Sequence, residues 1–254
     1  MDTLTIEQLS QIPWNRKFVS GPDVPPEPDI DEIAKLVDVP FMKRRNDYGL
    51  FYSWVEVIKM TGNRGMTILD SSCGRGQIAQ ILNLKGNKVK ACDIEDYFCA
   101  DRKVIDFTKA DLNSTFPYED KSFDLIINCE GLEYLNDSDY FLRECKRVLK
   151  KDGRLILSVP NIQSIVSQIS FFRKGTLMSY ESCLPSRKNL IYLPLLKAQL
   201  NRNNFTIKEI SGNIPLGGRM IRYFSSFARL FSAYKRNPFI PFAHSLIIEA
   251  ILYN

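Results

Sequence analysis

Residues 66–82, MTILDSSCGRGQIAQIL, constrain the fold of this chain more than any other stretch. An apolar run (Met66, Ile68, Leu69) ends on an acid, Asp70. A loop of small residues with two glycines follows (Ser71, Ser72, Cys73, Gly74, Arg75, Gly76). A helical pattern then opens at Gln77 and carries Ile78, Ile81 and Leu82. The order is strand, tight turn, helix. Glycine in such a turn lets the main chain approach a ligand, because no Cβ stands in the way. The turn also aims a helix N-terminus at the same point.

Two cofactor geometries use this arrangement. Gly74, Gly76 and Ala79 satisfy the dinucleotide fingerprint G-x-G-x-x-[GA], with Asp93 about 20 residues further on. Read from Asp70 instead, the stretch Asp70-Ser71-Ser72-Cys73-Gly74-Arg75-Gly76 resembles the D-x-G-x-G-x-G pattern of class I S-adenosylmethionine (SAM)-dependent methyltransferases, with Ser72 at the first glycine. Serine keeps the turn unless that position needs a positive φ. Asp93 ends the apolar strand pattern KVKACDI, where a carboxylate can accept both ribose hydroxyls of an adenosine, and Ile94 flanks the adenine. Both cofactors carry adenosine, so neither position chooses between them. A helix N-cap is the structural alternative for Asp93.

Two later stretches choose. Residues 111–135, DLNSTFPYEDKSFDLIINCEGLEYL, and 143–161, RECKRVLKKDGRLILSVPN, resemble in order and spacing two segments of the SAM-dependent methyltransferase superfamily. The resemblance covers roughly residues 66–161 and implies a fold, a cofactor and a site. The fold is α/β: a doubly wound, mostly parallel seven-stranded sheet, Rossmann-like, with helical cap elements. The cofactor is SAM, with S-adenosylhomocysteine as product. Asp111 and Leu112 match the adenine contact. Cys129 and Glu130 follow the fourth strand, where the methionine end of SAM and the acceptor meet. Arg45, in Arg45-Asn46-Asp47-Tyr48, resembles an arginine that reaches the SAM carboxylate, a pairing suited to the guanidinium fork.

The residues agree with that fold independently. Phe123–Cys129 and Arg154–Val159 are apolar runs, as expected for strands covered on both faces. Between them, residues 140–149 carry a helical stripe (Phe141, Leu142, Cys145, Val148, Leu149). Strands alternating with helices imply a parallel sheet. In such sheets ligands bind beyond the carboxyl ends of the strands, where Asp70, Asp93, Asp111 and Glu130 fall. Residues 44–61 form a further helix with Leu50, Trp54, Val57 and Ile58 on one stripe.

A hydroxyl acceptor profits from a general base. Glu130, Glu133 and Tyr134 are the candidate catalytic residues, orienting or deprotonating an oxygen or nitrogen. Glu133 as a helix cap and Glu130 bonded to main chain are the structural alternatives. The stretch E-x-x-E-Y also resembles the E-x-x-E-H of ubiquinone-biosynthesis O-methyltransferases, which supports a divalent ion. Tyr134 replaces the histidine and is a poor ligand at neutral pH, so no metal is expected.

The remaining stretches are less specific. Residues 1–40, rich in proline near 22–28, read as an N-terminal arm or lid, and 41–254 as the methyltransferase domain. Residues 162–203, an insertion with Phe171, Phe172, Arg173, Lys174, Tyr180, Arg187, Lys188 and Tyr192, read as a cap over the acceptor. Residues 219–236 carry an aromatic stripe at helical spacing and read as a sheet-covering or cap helix, with a membrane-surface helix as alternative. The last strand, Ser245–Leu252, reads as an antiparallel edge hairpin, and His244 before it as structural.

Composition excludes several classes. The net charge of +5 does not demand nucleic acid, and no N/D-P-P-Y/F motif is present. The six cysteines form no C-x-x-C pair and read as reduced thiols of a cytoplasmic protein. No apolar run spans a bilayer, and the N-terminus lacks the pattern of a signal peptide. The expected function is SAM-dependent methyl transfer to an oxygen or nitrogen of a small biosynthetic metabolite, such as a sugar, phosphorylated or nucleotide-linked intermediate. The alternative is a catalytically inactive binding or regulatory protein on the same fold. An NAD-dependent reductase rests only on Gly74, Gly76 and Asp93.

Overall fold

The structure, a computed structural model, describes residues 48–62, 65–98, 100–177, 187–212 and 240–253. The expected arm over 1–40, Arg45 and the aromatic stretch 219–236 lie outside the described residues.

Seven strands form one sheet: β1 (Thr67–Ser71), β2 (Lys88–Asp93), β3 (Asp106–Lys109), β4 (Phe123–Cys129), β5 (Leu149–Pro160), β6 (Phe205–Gly212) and β7 (Ser245–Leu252). Their order is β3-β2-β1-β4-β5-β7-β6. The first five run parallel, and β7 is antiparallel to both neighbours. The described helices are α1 (Tyr48–Thr61), α2 (Gln77–Leu84), α3 (Ser138–Val148), α4 (Ile165–Lys174) and α5 (Leu193–Arg202).

The apolar runs explain the layering. In β4, FDLIINC, every residue but Asp124 is buried, which requires a covering layer on each face. On one face Trp54, Val57 and Ile58 of α1 and Ile78, Ile81 and Leu82 of α2 join a core with Ile68, Leu125 and Ile127. On the other, Phe141, Leu142, Cys145 and Val148 of α3 and Leu196 and Leu200 of α5 pack with Leu69, Ile126 and Leu157. The α5 helix, within the expected insertion, therefore covers the sheet.

The last strand was expected in an antiparallel edge hairpin; β7 pairs antiparallel with β6 at that end of the sheet, with β6 outermost and β7 between it and β5. The physical reason is in the side chains. In SLIIEAIL every residue but Ile251 is buried, as fits a strand covered on both faces within the sheet. FTIKEISG leaves most of its residues partly or fully exposed, which an edge tolerates. Glu249 interrupts β7 at 2% exposure and is paired there. Its Oε1 accepts from Arg154 at 2.8 Å and from Lys208 at 3.2 Å. Arg154 also donates to the carbonyls of Met60 and Thr61, closing the C-terminal end of α1.

From β1 the chain winds one way to β2 and β3, then returns to the other side of β1 for β4 and β5. The strand order thus reverses between β1 and β4, and the carboxyl ends at such a reversal are where doubly wound sheets receive ligands.

Candidate functional site

The glycine loop lies at the tip of β1. Ser72, Gly74 and Gly76 have φ of 59°, 54° and 84°. The serine position does adopt a positive φ, against the condition on which the turn was expected to tolerate it. Ser72 is held there: its Oγ accepts from Asn128 Nδ2 at 3.1 Å. Gly131 makes the room, since a Cβ on it would come within 2.5 Å of Ser72 Oγ. At Gly76 a Cβ would meet the Phe98 ring at 2.3 Å, whereas at Gly74 nothing lies within 4 Å. The loop is thus packed shut beneath Gly76 and open at Gly74.

Asp70 acts from below. It is 1% exposed, and its Oδ2 accepts from the Ala79 amide at 3.1 Å. Ala79 is in the first turn of α2, whose N-cap, Gly76, offers no side chain. The strand-end acid therefore caps the helix across the loop. Burial pushes its carboxyl up to about 7, opposed by the Ala79 amide and reinforced by the charge of Asp93. Cys73 and Cys129 are buried too, and burial holds both thiols protonated, well above their ordinary range.

Asp93 ends β2 and ties it to the loop, its Oδ2 accepting from the Gly74 amide at 2.8 Å. Ile94 follows at 54% exposure. Asp111 lies beyond β3, exposed, with Oδ1 accepting from the Asn113 main chain at 2.9 Å and side chain at 2.8 Å. Leu112 is buried.

Beyond β4 stands a second cluster. Glu130 has φ of 53°, and its Oε1 accepts from Ser158 Oγ at 2.7 Å. Glu133 is wholly buried in the 3-10 turn Leu132–Tyr134, and neither of its carboxyl oxygens has a hydrogen-bond donor. Burial raises its carboxyl well above the usual range; the Glu130 charge raises it further and Arg187 opposes. Arg187 Nη2 lies 3.4 Å from Glu133 Oε1 and 3.9 Å from Glu130 Oε2. Its Nε donates to the Tyr134 hydroxyl at 3.3 Å, with the guanidinium 5.6 Å from that ring's centre.

His244 completes the cluster. Burial pushes its imidazole down; the Glu130 charge opposes this and Arg187 reinforces it. Its Nδ1 is 3.3 Å from Ser245 Oγ, and its carbonyl accepts from the Asn161 amide at 2.8 Å. The sequence reading took His244 as structural and named Arg187 only among the basic residues of the insertion. Ser158 was missed altogether. No local pattern joins these positions, although Ser158 and Asn161 lie within the quoted SVPN segment. Among the described residues no group of three His, Cys, Asp or Glu side chains stands close enough to hold a metal ion. The cation between Glu130 and Glu133 is Arg187.

Comparison with known proteins identifies the family of the fold. A family profile described as "Methyltransferase domain" matches residues 69–157, from the end of β1 into β5. A demethylmenaquinone methyltransferase of Thermotoga maritima is 30% identical over 158 residues, which is 57% of this chain and 67% of that protein. The chain belongs to the class I SAM-dependent methyltransferase superfamily. A relative from Mycobacterium tuberculosis, named a probable S-adenosylmethionine-dependent methyltransferase, is 32% identical over 98 residues, 37% of this chain but only 35% of its own length. A SAM-dependent methyltransferase structure from Mesorhizobium loti shares the fold, with a TM-score of 0.56 at 16% identity over 78% of this chain and 97% of that one.

The superfamily's cofactor is SAM, and the described residues fit an adenosyl group. The Gly74 side of the loop is open where a Cβ would stand. A carboxylate (Asp93), an exposed apolar side chain (Ile94) and a second carboxylate (Asp111) line the adjoining strand ends.

Proposed function

We propose that this superfamily member transfers the methyl group of SAM to an oxygen or nitrogen of a small biosynthetic metabolite. The observation that carries the reading is one of placement. The open glycine loop, Asp93 and Glu130 meet at the carboxyl ends of β1, β2 and β4, where the sheet order reverses. Bound SAM supplies a methyl group on a sulfonium whose departing thioether is neutral. The chain's own part is alignment of donor and acceptor and handling of one proton.

In this reading Gly74 and Gly76 admit the cofactor's main body, Asp93 accepts its ribose hydroxyls, and Ile94, Asp111 and the Leu112 main chain flank the adenine. Ser72 and Asp70 shape the loop, and Cys129 walls the methyl-transfer point. Glu130, oriented by Ser158, accepts the acceptor's proton, with Glu133 and Tyr134 beside it. Within residues 162–203, the part ahead of α5 supplies the acceptor cap, a role supported by the contact of Arg187 with both glutamates. Residues 1–40 and Arg45 are assigned as lid and carboxylate partner on the resemblance alone. The buried free thiols Cys73, Cys92, Cys129 and Cys145 support a cytoplasmic setting. The mild charge supports a small-molecule acceptor over nucleic acid. Among the described residues no helix is long and apolar enough to cross a membrane.

An oxygen of a quinone precursor is the acceptor favoured by a Pelagibacter ubique relative named a ubiquinone biosynthesis O-methyltransferase, 27% identical over 106 residues; sugars and nucleotide-linked intermediates are the other class. Melting curves with SAM, S-adenosylhomocysteine and NADH test the cofactor. A ligand at about 100 times its dissociation constant stabilises the fold by about 2.7 kcal/mol. Asp93→Asn is the control of choice, since the amide oxygen still accepts from Gly74 while the charge is lost. A shift with both adenosyl compounds, weakened in Asp93→Asn, is expected. Label transfer from SAM to quinone precursors or to nucleotide sugars then identifies the acceptor. A shift with NADH alone overturns the reading. Adenosyl binding without transfer to either class favours the non-catalytic alternative.

A further inference from the structure

The proposed function uses Glu130 and Glu133 but gives no task to the guanidinium between them. We infer that Arg187 is a positioning residue of the acceptor site, holding Glu130 and Glu133 as a pair that carries one proton, with Glu133 the acid and Glu130 the carboxylate. The inference rests on the reading of Glu130 as the acceptor's base.

The geometry is specific. One nitrogen, Arg187 Nη2, faces both carboxyl groups, at 3.4 Å and 3.9 Å. A single positive charge therefore serves two potential negative ones. The two acids are not equivalent in their other partners. Glu130 accepts a hydroxyl hydrogen bond from Ser158 at 2.7 Å, and its side chain keeps 13% exposure. Glu133 has no exposure, and no donor reaches either oxygen within hydrogen-bond geometry. An ionised carboxylate so placed would be buried with one cation and no hydrogen bond, a costly state that a bound proton removes. The proton therefore belongs on Glu133, which leaves the negative charge on Glu130.

Arg187 is itself fixed in place. The amides of Lys188 and Asn189 donate to the Glu133 carbonyl at 2.8 Å and 3.0 Å. Lys188 Nζ donates to Asn136 Oδ1 at 2.8 Å, and Asn189 Nδ2 donates to the Leu135 carbonyl. A segment 53 residues beyond Tyr134 is thus strapped across the turn that carries Glu133. Guanidinium and acids arrive as one unit.

The other groups facing the pair leave its proton count unchanged. His244, ahead of β7, is kept neutral by burial and by Arg187. Cys129, at the end of β4, keeps its proton through burial. Tyr134 lies under the guanidinium and accepts from it. Asp70, at the end of β1, adds a charge that helps raise the Cys129 thiol, and its Oδ2 accepts from the Ala79 amide. With one carboxylate against one guanidinium, the cluster is electrically neutral and ready to take a single further proton.

Infrared spectra of the full chain across pH test this through the carbonyl stretch of protonated carboxyl groups. Asp70 contributes a band of its own, so spectra are read as differences against Glu133→Gln. The expected result is a protonated-carboxyl band at pH 7 in the wild type that is missing from Glu133→Gln. Arg187→Gln should move the pH at which this band disappears upward by about 1–3 units, the usual effect of removing an adjacent opposite charge. Arg187→Lys, which keeps a cation, should restore most of the wild-type midpoint. A merely structural Arg187 would lower the melting temperature of Arg187→Gln and leave the band's midpoint unmoved, which overturns the inference. A wild-type-minus-Glu133→Gln difference spectrum with no protonated-carboxyl band at pH 7 overturns it equally. Absence of an S-adenosylhomocysteine melting shift in the wild type would instead defeat the methyl-transfer reading, and the band titration decides the role of Arg187 in either case.

Discussion

Asp70→Asn isolates the cost of an ionisable group beneath the glycine loop. The Asp70 carboxyl moves from 3.8 to about 7 in the folded chain, chiefly through burial. Its folded value lies above its unfolded one. Its contribution to stability is therefore fully present below about pH 4 and is lost as pH rises through about 7. A shift of about 3 units corresponds to about 4 kcal/mol, of which about 3 kcal/mol falls between pH 5 and pH 8. Asparagine keeps an oxygen for the Ala79 amide and cannot ionise. Its extra N–H group, placed where the wild type has an acceptor, shifts the overall stability by about 1–3 kcal/mol without pH dependence. The prediction therefore concerns slope. Urea unfolding at a series of pH values should show the wild type losing about 3 kcal/mol relative to Asp70→Asn between pH 5 and pH 8. Glu133, Glu144 and Asp124 titrate in both proteins and cancel in the difference. Parallel stability curves over that range would refute the reasoning, because they would mean that Asp70 ionises as freely in the fold as out of it.

Gly76→Ala should destabilise the fold by about 2–5 kcal/mol, combining left-handed strain with displacement of the Phe98 ring. The melting shift with S-adenosylhomocysteine should vanish with it, since the loop and the start of α2 move together. Glu249→Ala leaves the partly buried Arg154 guanidinium without its carboxylate, with the Met60 and Thr61 carbonyls as its remaining oxygen acceptors, and should cost about 3 kcal/mol by urea unfolding. Lys208→Ala, which removes the 53%-exposed partner of the same carboxylate, should stay within about 0.5 kcal/mol. Arg147→Met removes donors to Glu144, Asp120 and the Phe116 and Tyr118 carbonyls, at a cost of about 2 kcal/mol or more. Arg147 holds the Glu144 carboxyl below its usual range. That stabilisation is present above the ordinary glutamate range and is lost as pH falls through the folded value, so acid titration of the variant should be flatter.

Much of this molecule was legible in the order of its residues, wherever the controlling interactions are local. The strand–loop–helix at 66–82, the acid closing β2 and the apolar run of β4 follow from periodicity and glycine placement. Each depends on contacts within a few residues, or on a face that must be covered whatever covers it. The helical stripe expected over residues 140–149 appears as α3 (Ser138–Val148) for the same reason. Tertiary structure decided the rest. It placed β7 between β5 and β6 and left β6, with its more exposed side chains, at the edge. It gave Ser72 a left-handed backbone, held by Asn128 from β4 and made possible by Gly131. It joined Asp70 to the Ala79 amide in the first turn of α2. It also brought Ser158, Arg187 and His244 to Glu130 and Glu133 from segments far apart in the chain. Sequence spacing encodes helix and strand faces because their periods are short. It carries no comparable signal for which distant charge meets which, since that depends on how layers pack and on what burial leaves unpaired.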